Sequence, residues 1–398
     1  MNNCADCLEA LQEWTESRDF AGWDPYDALN SPLARALSFG TKYGRIAWIQ
    51  LLKRMPLNLR PLLLVPKGQN PKGLGLFLWA YAKLYRVEQR AEYLTRIHHL
   101  LDRLKKLQSK GYSGNCWGYN FDWQSRAFFV PKYTPTIVNS SFIGHALLDT
   151  YHHTGIPEAL DMARSIQDFL LADLHRTPDE DAFCFSYTPL DRTTVHNANL
   201  LGASLLIRLH ALSGDPTARD AALAALAYTM NRQRHDGSWH YADTAMQSWI
   251  DSFHTGFNLQ SLRYFLEARE ALQYRPGYER GVRFYAENFF LADGTPKYYH
   301  DRTYPVDIHS AAQAIVFFSR EPAYRALVEK VLQWTFVNLL DRRGYFYFQK
   351  HRFYTNRICY MRWAQAWAFH ALSEYYLHVS ERVTDERDQE SPSTEYTG

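Results

Sequence analysis

The chain has 398 residues, 46% of them hydrophobic, with 44 basic and 42 acidic side chains and a formal charge of +2. That length buries a large core, and so balanced a charge leaves no basic footprint for nucleic acid; the run Arg103-Leu104-Lys105-Lys106 reads as a solvated helix face. Residues 1–22 lack a basic-then-apolar leader, and the longest apolar stretches, such as 200–206, are far too short to span a membrane, so a cytoplasmic protein is expected.

Residues 1–30 read as a short helix plus a cap over one end of the fold. Cys4 and Cys7 there have the gap of half a zinc site, but no second pair follows, and the five scattered cysteines do not resemble a secreted disulfide framework. Neither a metal nor another cofactor is expected.

From 31 to 380 amphipathic and apolar helical stretches alternate. They pair as 31–54 with 73–86, 88–109 with 138–154, 157–174 with 195–212, 216–233 with 251–271, 276–290 with 306–319, and 322–340 with 359–379. Thr154-Gly155-Ile156-Pro157 and Ser213-Gly214-Asp215-Pro216 place a glycine where one helix stops and a proline where the next starts. The second member of each pair, as at 198–209, is apolar on nearly every side and therefore buried. Six outer helices around six inner ones make an all-α (α/α)6 toroid of six helical hairpins. Residues 381–398, polar with Pro and Ser, read as a disordered tail.

The aromatic-rich loop before each inner helix recurs at intervals of about 55 residues, the period of a stacked supersecondary unit. Trp117-Gly118-Tyr119 leads to Asn139, Phe183 to Tyr187 lead to His196-Asn197, and Trp239-His240-Tyr241 leads to Asp251 and His254. Tyr298-Tyr299 leads to Asp307 and His309, and Tyr345-Phe346-Tyr347 to Arg362. Equal repeat phase brings this polar slot to one rim, where helix N-termini favour an anionic guest.

Several stretches resemble known toroids. Gln233 with Asp236-Gly237-Ser238-Trp239 resembles the Gln-Trp motif of terpene-cyclase toroids, but that family's run of catalytic aspartates is absent. Trp249-Ile250-Asp251 is similar to the Trp-x-Asp motif of unsaturated glucuronyl hydrolases, which implies Asp251 as general acid and base. Through Val195-His196-Asn197-Ala198-Asn199-Leu200-Leu201-Gly202 and residues 250–257, the chain most resembles (α/α)6 proteins encoded with bacterial exopolysaccharide synthesis. That resemblance implies a glycan setting, with polysaccharide-synthesis proteins as partners, and leaves the reaction open.

The residues themselves support several readings. Asp251 is a natural helix N-cap. Capping does not account for His196, His254 and His309 in the same register, and these with Asp251 and Asp307 supply what glycosyl acid/base chemistry needs. The Asp251/His254 and Asp307/His309 pairs could instead chelate, although no recognised ligand spacing is present. Asn139, Asn197 and Asn199 suit sugar hydroxyls or caps; Trp117, Tyr119, Trp239, Tyr241, Tyr298 and Tyr347 suit stacking on sugars or packing. Arg362, charged on an apolar helix, needs a carboxylate from substrate or protein, and Gln313 and Gln365 are placed to line the central funnel. The leading expectation is a hydrolase of acidic oligosaccharides with Asp251 as proton donor. A uronate lyase or C5-epimerase using His254 or His196, Tyr241 or Tyr298, and Arg362 comes second, and a non-catalytic glycan-binding partner of a glycosyltransferase third.

Overall fold

The computed structural model describes residues 4–125 and 128–390, with residues 384–390 as backbone only. In chain order its helices are α1 (Cys4–Glu16), α2 (Pro32–Leu37), α3 (Lys42–Arg54), α4 (Pro71–Glu88), α5 (Ala91–Lys106), α6 (Ile137–Thr154) and α7 (Pro157–Asp168). Then come α8 (His196–Ser213), α9 (Pro216–Met230), α10 (Ser252–Glu267), α11 (Arg275–Asn288), α12 (Ile308–Phe318), α13 (Arg325–Leu339) and α14 (Trp367–Glu390), the last entered through a wider turn at Met361–Ala366.

Among the described residues, α4, α6, α8, α10, α12 and α14 pack side by side in that order and close back on α4. Each of α5, α7, α9, α11 and α13 lies outside the inner helix that precedes it and not, as the expected pairs had it, the one that follows, and α1 lies outside α14. This is the expected all-α (α/α)6 toroid. Its inner helices are buried on nearly every side because they meet neighbours on both flanks and an outer helix behind. The tight corners form as the glycines require: Gly155 and Gly214 end α6 and α8 in the left-handed region at φ 71°, and Pro157 and Pro216 open α7 and α9.

The first outer helix differs from the expectation. It is α1, held by Glu16, which accepts from the Tyr81 hydroxyl at 2.6 Å and from Arg96 at 2.9 Å. The stretch 31–54 folds instead as α2 and α3 of a cap, with its own small core of Ala28, Leu29, Ile49, Leu52 and Val65. Both segments carry an amphipathic stripe, and periodicity does not say which surface a stripe will meet. At the other end α14 continues to Glu390, into the stretch expected to be a disordered tail; residues 391–398 lie outside the described ones.

Side-chain caps fix the inner-helix N-termini on one rim. Asn70 accepts from the Lys72 and Gly73 amides, Thr136 from Asn139, Asp251 from His254 and Asp307 from His309. The loops before α12 and α14 join in a three-stranded antiparallel sheet in which Asp307 pairs with Gln349, and Gln349 with Asn356.

Candidate active site

The rim surrounds a cavity of about 640 Å³, roofed by the cap and walled by the aromatic loops. Tyr26, Ile46, Ile49, Lys53 and Arg54 form the roof; Tyr119, Phe121, Trp123, Tyr187, Tyr241, Trp249 and Tyr298 stand in the wall. Toward the floor are Lys72, Asn197, Phe253, His254, Phe257, His309, Arg362 and Trp363. Among the described residues no carboxylate lines it, whereas Lys53, Arg54, Lys72 and Arg362 do. A water-excluding aromatic wall strengthens the field of those cations.

His254 is the acid/base group the fold presents best. Its Nδ1 lies 2.7 Å from Oδ2 of Asp251, while its ring meets Tyr241 at 4.7 Å and Phe253 at 4.3 Å between centroids and borders the cavity. A carboxylate can only accept, so Nδ1 carries the hydrogen, and in the neutral imidazole the lone pair falls on Nε2. Asp251 itself is occupied: Oδ1 accepts the His254 amide at 3.1 Å, and Oδ2 also accepts Trp249 Nε1 at 2.9 Å. At 2% exposure it lies behind the histidine and borders a small cleft with Trp239 and Asn258, which shares Asn197, Tyr241, Trp249 and His254 with the main cavity.

His309 shares the floor. It stacks on Phe253 at 4.4 Å and meets Trp367 at a tilt at 4.3 Å, and neither ring nitrogen has a partner among the described residues. Burial first, then the charges of Lys72 and Arg362, push its pKa well below the usual imidazole value, so it is neutral near pH 7. Burial, and after it nearby Asp251, raises Tyr241 and Tyr298 above the usual phenol value, so both keep their protons as donors.

Other expected residues stand elsewhere. Asp307 is wholly buried behind the wall, where Oδ1 accepts the His309 amide at 2.8 Å and Trp363 Nε1 at 2.9 Å, and Oδ2 accepts Gln349 at 2.6 Å. His196 turns away from the cavity to Asp243 at 3.0 Å, a carboxylate already shared with Arg232 and Tyr228. Asn139 is buried off the cavity, and its side-chain amide has no partner among the described residues; Asn197 does line the cavity. Asn199 is structural, bridging the Phe185 amide and the Ala225 carbonyl.

The aromatics divide. Tyr119, Tyr241 and Tyr298 line the cavity, but Trp117 is wholly buried with Nε1 on the Leu104 carbonyl, Trp239 is buried with Nε1 on the Thr229 carbonyl, and Tyr347 bonds Asp341. Gln313 is sealed against Gln260 at 3.1 Å and Gln365 against the Phe346 backbone, so neither lines the funnel. Their slots lie too far along the helix to reach the rim.

Arg362 lines the cavity but its fork is closed: Nε and Nη2 donate to the two oxygens of Asp24 at 2.6 and 2.8 Å. The carboxylate it needed comes from the cap. Sequence reasoning passed over Asp24, Lys53 and Lys72. Lys72 carried the same signal as Arg362, a charge opening an otherwise apolar helix, and was missed because the helix was begun at residue 73. Among the described residues no group of three or more His, Cys, Asp or Glu is placed to hold a metal. Cys4 and Cys7 sit on α1, and burial and then Cys7 push the Cys4 thiol up to about 12.

Neither a protein-family model nor a curated protein sequence matches the chain. Solved structures do resemble it. The cellobiose 2-epimerase of Bacillus thermoamylovorans is similar with a TM-score of 0.62 at 15% identity, over 79% of this chain and 88% of that one. A polysaccharide lyase is similar at 0.56 and 11% identity, over 96% and 98%. An unsaturated glucuronyl hydrolase specific for heparin is similar at 0.57 and 13%, over 80% and 89%. At these identities the likeness establishes the toroid fold. No helix among the described residues is long and apolar enough to cross a membrane.

Proposed function

We propose that this is a carbohydrate-active enzyme whose His254 moves a proton on an oligosaccharide carbon, in an epimerase- or lyase-type reaction. The observation that carries this is the Asp251–His254 pair. The carboxylate holds Nδ1 at 2.7 Å, and the ring borders a 640 Å³ cavity with no carboxylate of its own in the lining. Such a pair sets the tautomer and orients the base, as a buried carboxylate does for a catalytic histidine elsewhere. Tyr241, against the His254 ring, keeps its proton and suits the partner acid. Toroids named for a sugar epimerase and a polysaccharide lyase support this class of substrate and reaction.

Hydrolysis with Asp251 as donor is supported less well. Glycosidases generally need two carboxyl groups facing the bond from either side. Here both oxygens of Asp251 and both of Asp307 are filled by N–H donors, behind the wall. The bacterial polysaccharide-synthesis setting, with its partner proteins, is carried within this proposal by the sequence likeness at 195–202.

The test is solvent exchange. With acidic and neutral oligosaccharides in deuterated water, the wild type should place deuterium at one sugar carbon or release an unsaturated product, and His254→Gln should slow this by about a hundredfold or more. Cleavage to saturated products, undiminished in His254→Gln, would refute it.

A further inference from the structure

Five cationic side chains are buried among the described residues, and four have a carboxylate: Arg60 with Asp27, Lys83 with Glu374, Arg263 with Glu321, and Arg362 with Asp24. The fifth is Lys72, 3% exposed at the cavity floor. Its Nζ lies 4.0 Å from the Phe142 ring centroid, 5.3 Å from Trp367 and 5.5 Å from Phe257. Ring faces attract an ammonium but offset only part of its lost hydration. Arg362 offers no relief, since its charge opposes that of Lys72 and its carboxylate is already engaged.

We propose that Lys72 is the seat of a sugar carboxylate, so that the substrate of the cavity is an oligosaccharide containing uronic acid. The ligand supplies the anion that the fold withholds. A sugar carboxylate suits the seat because Lys72 has no carboxylate partner and, among the described residues, none lines the cavity. The Lys72 and Gly73 amides at the start of α4 are already taken by the Asn70 side chain at 3.1 and 3.4 Å. Asp24 already neutralises Arg362 through Nε and Nη2, whereas Lys72 has no carboxylate partner and takes the role. The inference rests on the sugar reading above but not on the role of His254.

Calorimetry on the full chain tests it, with β-1,4-triglucuronate, α-1,4-trigalacturonate and the carboxyl-reduced counterpart of each. The wild type should bind an acidic trimer at least about tenfold tighter than its reduced twin. Lys72→Met should bind both twins alike, at the wild-type affinity for the reduced one, which also shows that the variant is folded. Its unliganded melting temperature should equal or exceed that of wild type, because the variant removes a buried amine that has no carboxylate partner and whose pKa burial, and then Arg362, hold well below the usual lysine value. Equal binding of both twins by wild type, or a preference that survives in Lys72→Met, overturns the assignment while the sugar reading stands. If no trimer of either kind binds, both fall together.

Discussion

Neutralising Asp24 should loosen the cap more than any surface charge change. Its two oxygens hold the Arg362 fork at 2.6 and 2.8 Å, and the two side chains are 6% and 4% exposed. Asp24→Asn keeps the shape but leaves a guanidinium buried without its counter-charge, for which broken buried pairs cost about 3–5 kcal/mol. The neighbouring contacts survive: Asp27 still accepts from Arg60 at 2.7 Å, and Arg60 still reaches the Tyr360 hydroxyl at 2.8 Å. The loss should therefore appear first as local opening of residues 22–66. Native-state hydrogen exchange across that segment reads it, alongside urea unfolding. A double-mutant cycle with Arg362→Met isolates the pair, and the double variant should recover most of the loss because the stranded charge is gone. As a control, Glu92→Gln breaks an exposed pair with Arg90 and should stay within about 0.5 kcal/mol. A loss under about 1 kcal/mol in Asp24→Asn, or strict additivity in the cycle, would refute the reasoning.

Three further outcomes are expected. Burial lifts the Asp307 carboxyl from its ordinary 3.8 to about 6, so the folded chain holds a proton that the unfolded chain has released. Its contribution is complete below pH about 4 and lost as pH rises through about 6, roughly 3 kcal/mol in all. From urea unfolding, the free energy of wild type should fall relative to that of Asp307→Asn by that amount over this interval, and parallel curves would contradict it. Gly118→Ala would set a Cβ 2.1 Å from the Thr134 carbonyl oxygen and should cost about 2–3 kcal/mol in thermal unfolding; an unchanged melting point would show that the loop yields. Trp123→Ala, in the cavity wall, should weaken oligosaccharide binding by about tenfold with little loss of stability. Trp117→Ala, wholly buried, should cost about 3–5 kcal/mol of stability and leave the affinity of the folded fraction unchanged, and the reverse pattern would exchange their roles.

The toroid and the polar rim at its inner-helix N-termini were legible in the sequence because both depend on local pattern. Helical period and all-round apolarity mark α6, α8, α10 and α12 as inner helices, and the Gly-to-Pro corners mark where the chain turns back. Equal repeat phase placed Asp251, His254, Asp307, His309 and Arg362 at inner-helix N-termini. What each does there depends on partners far away along the chain. Trp363, 56 residues on, and Gln349, 42 residues on, turn Asp307 from a candidate acid into a wholly enclosed cap. Asp24, 338 residues from Arg362, converts a candidate substrate anchor into a clasp for the cap. Only the closed ring could decide that α1 would fill the outer position beside α14, freeing 31–54 to roof the cavity, because an amphipathic stripe specifies that a face is buried and not what buries it. Ring closure likewise brings Lys72 of the first inner helix beside Arg362 and Trp367 of the last, where no carboxylate awaits it.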